Sequence, residues 1–163
     1  MKFLRDKGLH ADVNQKDILF LNCLDFRGAR YDKGNHYGQA TRILRNVIEY
    51  DRRALQVILE KISKELQENS RITHLVFWCN HGKHRSVAVA TLTQDALEKM
   101  SSEWHVQERV DLMQNDWSQW KCFWVPCAEC DRWNQEKEKC FCRTFNMLED
   151  AWKRFTPGLA AMT

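Results

Sequence analysis

The ten residues from Phe77 to Ser86, FWCNHGKHRS, combine a cysteine, two histidines, a lysine, an arginine and a serine. An apolar run precedes this loop and an alanine-rich segment follows it, so it connects a predicted strand to a predicted helix. Such a loop directs unpaired backbone N–H groups and the positive end of the helix dipole towards one point, which favours an anion. Gly82 permits close approach of the backbone, and Arg85 can donate two hydrogen bonds to one phosphate.

These residues predict a phosphate-binding loop, and the alternative is a basic turn exposed to solvent. A serine at the start of the helix can cap it or donate to the same phosphate oxygens. The candidate ligand-binding residues of the loop are Asn80, His81, Gly82, Lys83, His84, Arg85 and Ser86.

Cys79 and Arg85 also have the Cys-x5-Arg-Ser spacing of cysteine-dependent phosphatases. In that chemistry a thiolate attacks phosphorus, and the groups that hold the phosphate lower the pKa of the thiol. A phosphatase needs an acid to protonate the leaving oxygen, and Asp25 and Asp32 are the candidates, with Asp25 preferred. The alternative is that Cys79 is a buried thiol at the end of a strand. The spacing leaves open whether the chain is an enzyme.

The elements around the loop follow from the apolar pattern. Asp17–Leu24 is a nearly continuous apolar run, typical of a strand buried on both faces, and Thr73–Trp78 is a second strand. Between them, apolar residues recur every three or four positions from Gln39 to Asn69. This predicts one long helix, or two helices joined near Tyr50-Asp51. A further helix is predicted at Ser86–Met100.

The alternation of strands and helices predicts an α/β fold with a mostly parallel sheet and flanking helices. Trp104–Leu112 could form a third strand, and a last helix is predicted at about Thr144–Phe155. Ligands bind beyond the carboxyl ends of the strands in such sheets. Asp25 and Arg27 follow the first strand, so we expect them to face the same pocket as the loop.

Five of the seven cysteines lie between residues 122 and 142. In a reducing compartment such clustering indicates metal binding before structural disulfides. Four thiolates at C-x2-C and C-x-C spacing can hold one zinc ion tetrahedrally, so the sequence predicts a structural zinc site. The alternatives are cysteines packed among aromatic side chains, or disulfides formed on oxidation. The predicted zinc ligands are Cys127, Cys130, Cys140 and Cys142, with Cys122 as an alternate.

Length and charge set the remaining bounds. With 163 residues and a net charge of +3, the chain fits one domain and shows no overall bias towards nucleic acid. We expect an α/β core at about residues 17–112 and a cysteine- and tryptophan-rich extension at about 113–163. No signal peptide or transmembrane segment is apparent, which favours the cytoplasm or nucleus and excludes a membrane partner. RNA binding would need a local patch, for which the candidates are Arg42, Arg45, Arg52 and Arg53.

Three segments resemble the C-terminal domain of the bacterial RNase adapter protein RapZ. Cys79–Val87, CNHGKHRSV, is similar to the family's C-T-G-G-K-H-R-S-V loop. Leu24–Arg27 resembles its D-x-R element, and Val106–Arg109 resembles its V-Q-x-R segment. These segments occur in the family's order, whereas residues 113–163 have no counterpart in the family, and His81 stands where the family has glycine.

The resemblance implies an α/β domain that binds a phosphorylated small molecule, glucosamine-6-phosphate in the bacterial case, and takes part in RNA binding. It also implies that Asp25 holds hydroxyl groups of the ligand. The residues that it implies for contact with the ligand phosphate are Asn80, Gly82, His84 and Arg85.

Overall fold

Two parallel strands and four α-helices make up the part of the chain that the structure, a computed structural model, describes. This part comprises residues 14–27, 40–80, 84–104 and 134–156. None of the helices in these ranges is both long enough and apolar enough to span a membrane. In chain order the elements are a 3-10 helix at Gln15–Asp17, β1 at Ile18–Asn22, α1 at Thr41–Tyr50, α2 at Arg52–Glu68, β2 at His74–Trp78, α3 at Arg85–Trp104 and α4 at Asn134–Phe155.

β1 and β2 pair in parallel, with Asn22 opposite Trp78 at the carboxyl end of the ladder. Because alternate side chains of a strand point to opposite faces, Leu19 and Leu21 share the face that packs on the core, and both are buried. The other face carries Phe20 and Trp78, whose exposed fractions are 38% and 43%. The expectation that the first strand is buried on both faces is therefore wrong, since burial alternates along β1.

The crossover between the two strands consists of α1 and α2, which are separated at Asp51. Of the two arrangements that the sequence allows here, the structure has two helices. Asp51 has φ −117° and ψ 22°, outside the helical region. Its buried carboxylate accepts a hydrogen bond from the backbone N–H of Arg27, with 2.8 Å between N and Oδ1. The residue that ends α1 therefore also holds the segment that follows β1.

α4 packs against each of the other three helices. Its buried side contributes Cys140, Met147 and Leu148 to the hydrophobic core that β1, α1, α2 and α3 also line. At its end Arg154 Nη1 lies 2.7 Å from Glu60 Oε1. An exposed ion pair of this kind contributes at most about 1 kcal/mol, so apolar packing dominates the attachment of α4. The described residues of the predicted C-terminal extension thus share one core with the described residues of the predicted α/β core.

The predicted fold class, α/β with a mostly parallel sheet and flanking helices, is wrong. In the described ranges the sheet has two strands, and helices supply most of the core. The strand predicted at Trp104–Leu112 starts on the last residue of α3, and its other residues lie outside the described ranges. α4 begins well before the predicted Thr144 and packs against the other three helices.

Truncating Leu148 to alanine tests whether α4 is part of the core. Leu148 is fully buried on α4, so Leu148→Ala should lower the free energy of unfolding by about 2–5 kcal/mol. The exposed Asn146 on the same helix is the matched control, and Asn146→Ala should change it by less than about 0.5 kcal/mol. Urea unfolding measures both values. Equal effects of the two substitutions would show that α4 does not pack on the core.

Candidate functional site

The carboxyl ends of β1 and β2 meet at one edge of the sheet. The ladder continues past the last strand pair, because the backbone N–H of Cys23 donates to the carbonyl of Trp78 at 2.9 Å. The chain then turns, with the N–H of Leu24 donating to Asn22 Oδ1 at 2.9 Å. The side chain of Phe26 is 1% exposed and anchors this turn in the core. The segment after β1 is therefore held beside the loop after β2.

Arg85 is the first residue of α3, shortly after β2, and its side chain contacts the segment that follows β1. Its Nη1 donates to the carbonyl oxygen of Leu24 at 2.8 Å. The side chain is embedded, since Arg85 is only 7% exposed. The carbonyl of His84 accepts the N–H of Ala88 at 2.8 Å, so helical hydrogen bonding starts directly at this point. A cationic group thus lies at the positive end of a helix, next to both strand ends.

Cys79 and Ser86 are in contact across the loop. The Sγ of Cys79 lies 3.2 Å from the Oγ of Ser86, close enough for a hydrogen bond in which either atom is the donor. Cys79 is half-buried, whereas Ser86 is buried in the first turn of α3. A serine hydroxyl that donates to a thiolate stabilises the charged form of the cysteine. The loop therefore brings together the residues that the phosphatase pattern predicts for the nucleophile and its surroundings.

Cys23 is a second thiol at the same edge, which the sequence analysis did not single out. It is fully buried. Burial first, and the neighbouring Cys79 second, raise the pKa of Cys23 to about 12, although Arg85 acts in the opposite direction. Cys23 is therefore protonated at neutral pH, and Cys79 is the better candidate for attack on a phosphate. The signal that could have found it is positional, because each cysteine directly follows a strand.

The other predicted ligand-binding residues on this edge differ in exposure. Asp25, Arg27 and Asn80 are exposed, while His84 is half-buried. The backbone N–H of Arg27 is fixed by Asp51, a buried carboxylate that the sequence analysis missed. The available signal was a charged residue at a position where the helical repeat predicts an apolar, buried one. The remaining loop residues, His81, Gly82 and Lys83, lie outside the described ranges.

The structure does not bring the predicted zinc ligands Cys140 and Cys142 together. Both lie on α4, where residues two apart point in directions roughly 200° different. Cys140 is buried, and burial raises the pKa of its thiol to about 11. Cys142 is exposed, with its Sγ 3.5 Å from Glu138 Oε1.

The other predicted zinc ligands, Cys122, Cys127 and Cys130, lie outside the described ranges. In the part of the chain that is described, no group of three metal-ligating side chains occurs. The zinc site stays a prediction, and helix α4 would let only one of its two cysteines face a metal held by the preceding segment.

The arginines predicted for RNA contact are distributed over α1 and α2. Arg45 is engaged with carboxylates, since its Nε lies 2.7 Å from Glu49 Oε1 and its Nη1 lies 3.3 Å from Glu136 Oε2. The other three arginines are exposed. RNA binding through this strip stays a prediction.

Comparison with protein-family models, curated proteins and solved structures finds no match to this chain. The resemblance to the RapZ C-terminal domain stays a prediction, and the geometry of the strand ends is the basis for a functional proposal.

The four described cysteines should differ in reactivity towards iodoacetamide. Cys142 is exposed and should be alkylated first, and the half-buried Cys79 should follow. Cys23 and Cys140 should react only on unfolding, because both are buried and their pKa values are raised to about 12 and about 11. Timed labelling at neutral pH with peptide mass mapping measures the order, and labelling in urea is the control. Early labelling of Cys23 in the folded protein would contradict the described packing.

Proposed function

We propose that the chain binds a phosphorylated small molecule, with the phosphate at the loop of residues 79–86. The observation that carries this proposal is the buried guanidinium of Arg85 at the N-terminus of α3, tied to the end of the other strand by its bond to Leu24. A phosphate at this position would lie beyond the carboxyl ends of two parallel strands, where ligands of such units bind.

The charge balance at Arg85 supports an anionic ligand. Across the described ranges, the ion pairs involve other basic residues, and none joins a carboxylate to Arg85. A buried charge without an opposite charge is costly, by several kcal/mol. The helix dipole adds positive potential at the same place. An anion would therefore be stabilised by both the guanidinium and the helix.

The hydrogen-bonding capacity of Arg85 points in the same direction. A guanidinium has five N–H donors in a planar fork, and the described bond to Leu24 uses one of them. That bond also fixes the fork, so less conformational entropy is lost when a ligand binds. Phosphate fits such a fork bidentately.

A sugar phosphate is the preferred ligand class. The exposed Asp25 lies two residues past Cys23 on the turn after β1, where its carboxylate could accept hydrogen bonds from sugar hydroxyls. Arg27 would supply a further cation on the same turn. The resemblance to the RapZ C-terminal domain supports the same class, with Asp25 in the same role.

Replacing Arg85 with lysine tests the proposal, since it keeps the charge and removes the fork. Arg85→Lys should weaken binding of inorganic phosphate and of sugar phosphates by about tenfold or more, because charge-assisted hydrogen bonds contribute roughly 1.5–3 kcal/mol. The exposed Arg53 on α2 supplies the control, and Arg53→Ala should leave affinity unchanged. Isothermal titration calorimetry at fixed ionic strength measures affinity, and urea unfolding checks that Arg85→Lys is folded.

Equal phosphate affinity of the two variants would contradict the proposal. Binding of RNA that falls steeply with added salt, and that sugar phosphates do not displace, would favour the RNA-binding alternative.

Phosphatase activity is a second candidate, favoured by the 3.2 Å contact between Cys79 and Ser86. The Cys79 thiolate would attack phosphorus, and the leaving oxygen would take a proton from Asp25. Water would then hydrolyse the phosphocysteine to release inorganic phosphate and regenerate the thiolate.

Turnover of p-nitrophenyl phosphate distinguishes the two candidates. A phosphatase should lose turnover in Cys79→Ser while keeping its stabilisation by inorganic phosphate, and Cys142→Ser, a change at an exposed cysteine on α4, should keep both. The measurement is absorbance of released p-nitrophenol beside a thermal-shift assay. Absence of turnover in the unaltered chain, with phosphate binding retained, would leave the binding function alone.

A further inference from the structure

We infer that Cys23 and Cys79 form a reversible intramolecular disulfide when the chain is exposed to peroxide. Both cysteines are thiols in this structure. The sheet register places them opposite each other, because Asn22 pairs with Trp78 and the two cysteines are the next residues on their strands. The bond from the Cys23 N–H to the Trp78 carbonyl keeps the two segments paired at this point.

The distance between paired residues suits a disulfide. Neighbouring strands lie about 4.8 Å apart, so the Cα atoms of two opposite residues are separated by roughly the same distance. Disulfides join Cα atoms that are roughly 4.4–6.8 Å apart. Opposite residues also have their side chains on the same face of the sheet, which for this pair is the core face. Both cysteines lie just past the ends of their strands, and the bond from the Cys23 N–H to the Trp78 carbonyl keeps the two segments side by side at this point.

The two thiols differ in a way that assigns their roles. Cys79 is half-buried, with a serine hydroxyl 3.2 Å away at the N-terminus of α3, so it is the thiol that peroxide can reach. Cys23 is fully buried. The charge of Cys79 is one cause of the raised pKa of Cys23, and oxidation of Cys79 to a neutral sulfenic acid removes that cause.

The reaction balances with hydrogen peroxide as the two-electron oxidant. The Cys79 thiolate attacks one peroxide oxygen, the O–O bond breaks, and hydroxide leaves to form Cys79 sulfenic acid. The Cys23 sulfur then attacks the Cys79 sulfur, the S–O bond breaks, and the oxygen leaves as water with the proton of Cys23. A thiol reductant reverses the crosslink by exchange.

The crosslink would break the contact between Cys79 and Ser86, because the side chain of Cys79 must turn towards Cys23. If the proposed phosphate site exists, the thiolate and the phosphate also share the positive potential of Arg85 and the helix end. Bound phosphate should then disfavour the thiolate and slow the oxidation. This second effect rests on the proposed function, whereas formation of the crosslink does not.

Peptide mass mapping of the peroxide-treated full chain tests the inference. Alkylation under native conditions, then digestion without reductant, should yield one peptide pair joined through Cys23 and Cys79, lost after dithiothreitol. In Cys23→Ala the joined peptide should be absent, and Cys79 should gain two oxygens as sulfinic acid because the resolving thiol is missing. Cys142→Ser, the control for general thiol loss, should retain the crosslink.

Several results would overturn the inference. These are the same extent of sulfinic acid in the unaltered chain and in Cys23→Ala, a crosslink of Cys79 to another cysteine, or a crosslink between two chains. Urea unfolding confirms that Cys23→Ala is folded, and Cys79→Ala, at a half-buried position, should also lose the crosslink. A crosslink rate unaffected by saturating inorganic phosphate would count against the phosphate site, and the crosslink itself would stand.

Discussion

Because β1 and β2 run in parallel, their carboxyl ends lie at the same edge of the sheet, and the described residues of the candidate site lie near that edge. An antiparallel pair would have put the segment after β1 and the loop after β2 at opposite ends. Parallel pairing requires a long crossover, which α1 and α2 provide. The core that the helices build therefore serves to hold two short strands in register.

Two charged side chains secure the segment after β1, and each does so through the backbone. Asp51 accepts the N–H of Arg27, and Arg85 donates to the carbonyl of Leu24. Both are buried, and they contact backbone groups of one turn from the two helices that follow the strands. The carbonyl of Leu24 is a neutral partner, so its bond leaves part of the charge of Arg85 uncompensated. For Arg85 this residual positive charge adds to the helix dipole, which makes the edge favourable for an anion.

The sequence predicts local features of this protein better than its overall packing. Both described strands and the helix after the loop follow from residue pattern within about twenty positions, which is the range over which periodicity acts. The same pattern allows one long helix or two helices joined near Asp51, and the structure has two. The predicted sheet has too many strands, because the number of strands depends on contacts between distant segments. The predicted last helix starts too late, because Cys140 and Cys142 are interpreted as metal ligands. The helical repeat of buried residues nevertheless includes Cys140 as well as Met147 and Leu148.

The candidate site shows the same difference between features that are set locally and features that depend on the overall packing. Cys79, Arg85 and Ser86 were predicted from spacing, since a loop between a strand and a helix fixes them locally. Cys23 and Asp51 were missed as site residues, because their importance depends on which residue lies opposite them in the fold. Register is a pairwise property, so no window of the sequence around Cys23 contains it.

The positive potential at the edge of the sheet would link the proposed ligand binding to the proposed thiol chemistry. It arises from one guanidinium and one helix end, and it acts on whatever negative group lies closest. The thiolate of Cys79 and a phosphate at the proposed site would both be such groups, and their negative charges would repel each other. Phosphate bound at the proposed site would therefore favour the neutral thiol of Cys79 over its thiolate. Ligand occupancy and cysteine reactivity would then be coupled by electrostatics alone, with no change of fold.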